Sequence, residues 1–272
     1  MQNTRKIIDR AALKRNRKRA DASKLFLHEI ALAETQSRLE MINRPFDEIT
    51  VITPFPAIWT KAFPKARILL DSDILPLKPE FNDLIVHTMC MHWTNDLVGQ
   101  LIQCRRGLKP DGLCLVVMLG GETLAELRFA LRNAESDTVG RLSPRVLPMS
   151  QIKDLGALLQ RAGFALPVVD SLVQTAEYQD LYHLMRDLRL MGENNALIDR
   201  IRQTSRRDLF LRAQSIYAEK FATESGNLKA TFEIMSLTGW APSESQPKPL
   251  RPGSASARLA DALSTTESIL PT

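Results

Sequence analysis

Histidine is the side chain best suited to moving protons near neutral pH, because its ordinary pKa lies close to 6.5. The chain has four, His28, His87, His92 and His183. His92 stands in the densest polar and aromatic run, Met91-His92-Trp93-Thr94-Asn95-Asp96-Leu97, and is the candidate for proton transfer. A second run, Gly120-Gly121-Glu122-Thr123-Leu124-Ala125-Glu126-Leu127-Arg128, sets two glycines before two carboxylates and a guanidinium. With His92 and Trp93 it forms a candidate surface for a partner or substrate. Metal chemistry is not expected, since His87 and His92 are five apart and share no helical face. Cys90, Cys104 and Cys114 form no C-x-x-C pair and lie in or near apolar segments, the usual place of reduced, buried thiols.

Each candidate also has a plain structural role open to it. His92 and Trp93 follow an apolar run and can pack a sheet edge, Asn95 and Asp96 can cap the next helix, and Gly120-Gly121 can simply turn the chain. Glu122 and Glu126, four apart at a helix start, can complement its dipole.

The elements that would position these residues alternate in type. Apolar residues at helical spacing run from Lys24 to Met41, and Pro45 ends that pattern. Short strands are predicted at Ile49–Ile52, Ala66–Leu70, Asp83–Met89 and Leu113–Leu119, with a helix over Leu97–Leu108 and a turn at Lys109-Pro110-Asp111-Gly112 in which Gly112 takes positive φ. An exposed helix is predicted over Thr123–Ala134, another over Ile152–Ala162 closed by Gly163, then strands at Ala165–Val173 and Ala230–Leu237 around a helical stretch, Leu181–Phe221. Alternating strands and helices imply an α/β fold. The organisation expected is a basic helical arm over 1–45, an α/β domain over 46–242 with a helical insertion at about 180–222, and a disordered Ser/Pro/Ala-rich tail over 243–272.

The net charge of +5 is concentrated at one end, where Arg5, Lys6, Arg10, Lys14, Arg15, Arg17, Lys18 and Arg19 face a single acid, Asp9. Such an arm is either a solvated helix or a peripheral contact for phosphate, an anionic membrane or an acidic partner. No Trp, Tyr or Phe precedes Phe26, so a stacking platform for nucleic acid is missing and nucleic acid is not an expected partner. The Arg-rich start is like a transit peptide, but it lacks Ser and runs straight into helical sequence. No apolar run approaches the ~20 residues of a membrane span, and a bacterial cytoplasmic setting is expected, with the mitochondrial matrix as the alternative.

Taken together, Ile8-Asp9-Arg10 with its Arg-rich run, Leu75-Pro76-Leu77, Met91 to Leu97, Leu108-Lys109-Pro110-Asp111-Gly112, Gly120 to Arg128, Leu142-Ser143-Pro144, Asp154-Leu155-Gly156, Arg161-Ala162-Gly163-Phe164 and Gly239-Trp240 resemble one branch of the S-adenosylmethionine-dependent methyltransferases. That branch holds the mitochondrial complex I assembly factors, methyltransferase-like arginine hydroxylases, and the malonyl-carrier-protein methyltransferase of biotin synthesis. The resemblance implies a Rossmann-like methyltransferase sheet, a protein partner or substrate, and Asp71 as the acid that approaches the cofactor's adenine.

The chain departs from that branch after its first strand. Where the family has a glycine loop that lets the backbone approach the cofactor, the sequence reads Ile49-Thr50-Val51-Ile52-Thr53-Pro54-Phe55-Pro56-Ala57-Ile58-Trp59, without a glycine. Roughly thirty residues, including the strand with the ribose-binding acid, are missing before Asp71 by comparison with ordinary βαβ lengths. The expectation is a sheet truncated in its first half, no use of S-adenosylmethionine, Phe55 and Trp59 filling the vacated space, and a non-catalytic assembly or chaperone factor. An active methyltransferase or hydroxylase with an unusual cofactor mode is the alternative.

Overall fold

Strands buried on both faces read as near-continuous apolar runs, as Leu84–Val86 and Leu113–Leu119 do. They form the middle of the sheet in the computed structural model, which describes residues 6–247 and Thr265. The chain separates into one unit of Met1–Pro242 and a second of Ser243–Thr272. Most of the expected tail, and Arg5 of the basic arm, lie outside the described residues.

The order of elements is α1 (Arg10–Lys18), α2 (Phe26–Ile42), β1 (Ile49–Ile52), α3 (Pro56–Ala62), β2 (Arg67–Leu69), β3 (Asn82–Thr88), α4 (Leu97–Gly107), β4 (Leu108–Leu119), α5 (Ala125–Val139), α6 (Ile152–Arg161), β5 (Ala165–Tyr178), α7 (Leu181–Leu190), α8 (Arg207–Phe221) and β6 (Leu228–Trp240). The strands lie in the order β2-β1-β3-β4-β6-β5. The first four run parallel, and β6 is antiparallel to both β4 and β5. This is the mixed sheet of a Rossmann-like methyltransferase fold.

One face of the sheet, carrying Val51, Leu84, Val86, Leu113, Leu115 and Val117, packs under α2, α3, α5 and α8. The opposite face, carrying Ile52, Ile85, Cys114, Val116 and Met118, packs on α4 and α6. Alternation of side chains along each strand puts neighbouring residues in opposite sets. The edge strand β5 buries no residue fully and leaves Val168 and Val173 more than half exposed.

The expected gap in the first half is real in its topology. After β1 there is room for one seven-residue helix, and β2 then pairs directly with β1 through Thr50↔Arg67, Val51↔Ile68 and Ile52↔Leu69. Several local expectations need correction. In the 109–112 turn it is Asp111 that takes positive φ (62°), which Asp tolerates. Gly112 instead makes room, since a Cβ there would lie 2.9 Å from the Lys109 carbonyl oxygen. The helix expected from Thr123 starts at Ala125, because Leu124 is left-handed (φ 56°) and its N–H is tied to the Thr231 carbonyl of β6. That helix is also not an exposed one, for Leu127, Ala130, Leu131 and Ala134 are buried. The stretch 181–221 divides into α7 and α8 around an irregular segment, and β5 and β6 each extend well beyond the runs expected for them.

Candidate functional site

In an open α/β sheet the loops leaving the carboxyl ends of the parallel strands face a crevice where ligands bind. Here those loops carry Pro54–Phe55 after β1, Leu70–Asp71 after β2, Met89–Asn95 after β3 and Gly120–Leu124 after β4. The N-terminal arm lies across them. Its entry is stitched down by Asn95, whose Oδ1 accepts from the Ile7 and Ile8 N–H groups at 2.8 Å each, and by an Ile8–Leu197 bridge. Asp9 caps α1 through the Ala12 N–H and pairs with Arg200 at 2.9 Å. The arm is therefore not a solvated helix: Ile8, Ala12 and Leu13 are buried.

At the β1–β2 end the arm closes on Asp71. Arg17 Nη1 lies 2.7 Å from one carboxylate oxygen and Arg10 Nη1 2.9 Å from the other, while Arg10 also donates to the Asp71 carbonyl. Burial pushes the Asp71 carboxyl up, but the Arg17 and Arg10 charges outweigh it and hold the group below its ordinary 3.8. Phe55 is half-buried beside this place and meets His28 edge-on at 4.9 Å. Trp59 does not fill the vacated space as expected. It sits fully buried on the α2 side of the sheet with Val51, Leu84 and Val86, and α1 is the main filler.

His92 and Trp93 belong to a short 3₁₀ turn and converge on Glu193, which follows α7. Trp93 Nε1 donates to Glu193 Oε2 at 2.6 Å, and His92 Nε2 lies 3.3 Å from the same oxygen. The other ring nitrogen of His92 accepts from the Leu119 N–H at 3.4 Å. Both nitrogens are thus engaged and the side chain has no exposure, so His92 orients Glu193 and has no open path for the proton transfer considered for it. Burial raises the Glu193 carboxyl, but the hydrogen bond from His92, the Arg17 charge and the Trp93 N–H bring it below its ordinary value. It is a buried carboxylate, and its Oε1 has no hydrogen-bond partner among the described residues.

The Gly120–Arg128 run does internal work at most of its positions. Neither Gly120 nor Gly121 has positive φ; a Cβ on Gly120 would meet Glu233 Oε2 at 2.6 Å, and one on Gly121 would meet Gln151 Nε2 at 2.3 Å. These glycines serve close packing. Glu126 is buried and accepts from the backbone and hydroxyl of Thr231. Arg128 binds the Thr123 carbonyl at 3.1 Å. Glu122 is exposed and stands in the turn before the helix. The five residues His92, Trp93, Glu122, Glu126 and Arg128 therefore do not form one exposed face, because Glu122 alone among them reaches solvent freely. Asp96 caps α4 through the Gly99 N–H, as its type allows. Ser143 and Arg145 hold their loop to the buried Glu135.

Between these pieces lies a cavity of about 400 Å³. Its walls are apolar, from Leu119, Leu124, Leu127, Met185 and Phe232 among others, and its polar groups come from Glu193, Trp93, Thr123, Asn194 and Asn195 and from three arginines, Arg145, Arg189 and Arg200. Sequence reasoning missed Glu193, Arg200 and the role of Arg17. A signal was present in Met191-Gly192-Glu193, where Gly192 takes positive φ (77°) and a Cβ would lie 3.1 Å from Arg17 Cα.

The remaining polar groups offer little chemistry. His87 Nδ1 is 3.5 Å from Cys90 Sγ, but burial lowers the imidazole to about 4 and drives the thiol well above 9.0, so no thiolate forms near neutrality. Among the described residues there is no cluster of three or more metal-ligating side chains, and no helix long and apolar enough to cross a membrane.

No family model matches the chain. It is 41% identical over 202 residues to the mitochondrial arginine-hydroxylase NDUFAF5 of Danio rerio, covering 74% of this chain and 63% of that protein. To the malonyl-[acyl-carrier protein] O-methyltransferase of Xylella fastidiosa it is 34% identical over 179 residues, covering 66% of this chain and 58% of that one. The chain thus spans less than two-thirds of these relatives. Among solved structures, the YcgJ protein of Bacillus subtilis superposes with a TM-score of 0.51 at 12% identity, over 79% of this chain and all of that one, a likeness of fold alone.

Proposed function

The chain is a methyltransferase-fold homologue of the NDUFAF5 arginine hydroxylases and the malonyl-[acyl-carrier protein] O-methyltransferases, and from that premise we propose that it is a non-catalytic protein-binding factor of this group. The observation that carries the reading is the contrast along the sheet edge: each oxygen of Asp71 has an arginine within 3 Å, although Oδ2 makes no hydrogen bond, while Glu193 Oε1 beside the neighbouring cavity has neither a hydrogen bond nor an ion pair among the described residues. S-adenosylmethionine does not fit the first place. Pro54 and Pro56 lack backbone donors, Phe55 takes space, and the strand that would bring a ribose-binding acid is absent from the described sheet.

The second place suits a side chain from a partner protein. Apolar walls accept an aliphatic stem, and the free Oε1 of Glu193 accepts a hydrogen bond from a cationic head. An arginine of the partner is the side chain proposed, in keeping with the name of the hydroxylase relatives. Assembly of a respiratory complex is the process proposed, in a bacterial cytoplasm or mitochondrial matrix.

Calorimetric titration with S-adenosylmethionine and affinity capture from the native host test this together. Absence of saturable cofactor binding, with a partner captured by the native protein and lost on Glu193→Gln, is the expected result. A micromolar dissociation constant for S-adenosylmethionine, ~8 kcal/mol of binding free energy, would return the protein to the active methyltransferases or hydroxylases.

A further inference from the structure

The cavity beside Glu193 carries charge of both signs. Arg145, Arg189 and Arg200 line it as well, so the charges that already have partners must be separated from those that do not. Two of the three arginines have acids of their own. Arg145 pairs with the buried Glu135 at 2.8 Å and donates to the Ser205 hydroxyl at 3.1 Å. Arg200 pairs with Asp9 at 2.9 Å and donates to the Leu197 carbonyl. Arg189, in the last turn of α7, is exposed, and its side chain makes no hydrogen bond or ion pair with any described residue.

One group of each sign is then left without a full set of partners: Glu193, buried, with Oε1 free, and Arg189, nearer solvent. A guest bearing only a cation satisfies Glu193 but brings its charge to a space where Arg189 is still unpaired, and a guest bearing only an anion does the reverse. A guest with a cation held deep and an anion closer to solvent leaves neither group alone. We propose that the partner segment carries an acidic residue, Asp or Glu, next to its arginine, and that Arg189 is the residue that selects it. The long apolar stem of an arginine takes its head inward while the backbone stays at the rim, and a neighbouring carboxylate is then beside Arg189. The inference rests on the protein-binding reading above and adds to it the sequence around the partner's arginine.

The full chain is titrated calorimetrically, at low and near-physiological salt, with the blocked peptide Gly-Asp-Arg-Asp-Gly, with its Asn-Arg-Asn and Asp-norleucine-Asp counterparts, and with free arginine. The acidic arginine peptide is expected to bind about fivefold more tightly than the Asn-Arg-Asn peptide, as suits an ion pair at a partly solvated rim, with the difference shrinking as salt rises. Arg189→Ala, altered at an exposed position, is expected to keep its melting temperature and to bind the two arginine peptides alike, which isolates the coupling between Arg189 and the acid. Equal binding of the two arginine peptides by the native protein, or a preference for the acidic one that survives Arg189→Ala, would overturn the proposal and leave arginine recognition at Glu193 standing. Failure of both arginine peptides to bind, or norleucine serving as well as arginine, would remove that recognition and the proposal with it. Free arginine matching the acidic peptide would make this a small-molecule site and overturn the partner segment itself.

Discussion

The two ends of the sheet's carboxyl edge treat buried charge in opposite ways. At the β1–β2 end the chain supplies its own partners, so Asp71 meets Arg10 and Arg17 and the arm closes over the strand ends. At the β4–β6 end Glu193 is oriented by His92 and Trp93, yet one oxygen is left unpaired beside an apolar cavity. A buried carboxylate without a full set of partners is costly, and it persists here because neighbours hold it in place. The difference separates a crevice whose acid is paired by the arm from one that keeps an unpaired acceptor beside a cavity.

The largest effect should come from the closed end's own core. Trp59→Ala removes a fully buried indole stacked on Phe63 and is expected to cost about 3–5 kcal/mol in urea denaturation. Trp59→Phe should cost much less, because the indole N–H it removes has no partner. Equal losses for the two variants would show that this half is not packed as described.

Breaking the Asp71 cluster comes next. Asp71→Asn leaves two arginines under-paired and should cost about 3 kcal/mol. Because the Asp71 carboxyl is held below 3.8 in the folded protein, its contribution is complete above that value and is lost as pH falls through the lower, folded one. The cost of the variant should therefore be the same at pH 7 and pH 5 and shrink only in strong acid. A cost that already fades by pH 5 would mean the carboxylate is not held by the arm.

A smaller, pH-dependent effect is expected between the two ends. Burial lowers His28 from 6.5 to about 3, and neither ring nitrogen has a hydrogen-bond partner. Below 6.5 the unfolded chain takes up a proton that the folded protein cannot, so stability falls by about 1.4 kcal/mol per pH unit, about 2 kcal/mol by pH 5. His28→Leu should flatten that slope in denaturation midpoints measured across the range; an unchanged slope would assign it to other groups, with His87 the next candidate.

The smallest effect belongs to Glu122, the exposed acid of the Gly120–Arg128 run. Glu122→Gln should change stability by less than about 0.5 kcal/mol and leave partner capture intact, in contrast to Glu193→Gln. Loss of the partner on Glu122→Gln with Glu193→Gln silent would move the docking surface from the cavity to the outer turn.

Local chemistry made much of this legible in the sequence alone. The apolar runs at Ile49–Ile52 and Leu113–Leu119 marked buried parallel strands, Gly163 marked a helix end, and the glycine-free Thr53–Trp59 segment together with the short run to Asp71 marked the shortened first half of the sheet, since each depends on residues adjacent in the chain. What the polar residues do was settled only by contacts across long sequence distances. His92 and Trp93 are a hundred positions from Glu193, Arg17 more than fifty from Asp71, and Glu126 more than a hundred from Thr231. A side chain's type sets what it can donate, accept or hold as charge, but whether it meets a partner, a cavity or solvent depends on which distant segment packs against it, and that is decided by the burial of the whole sheet.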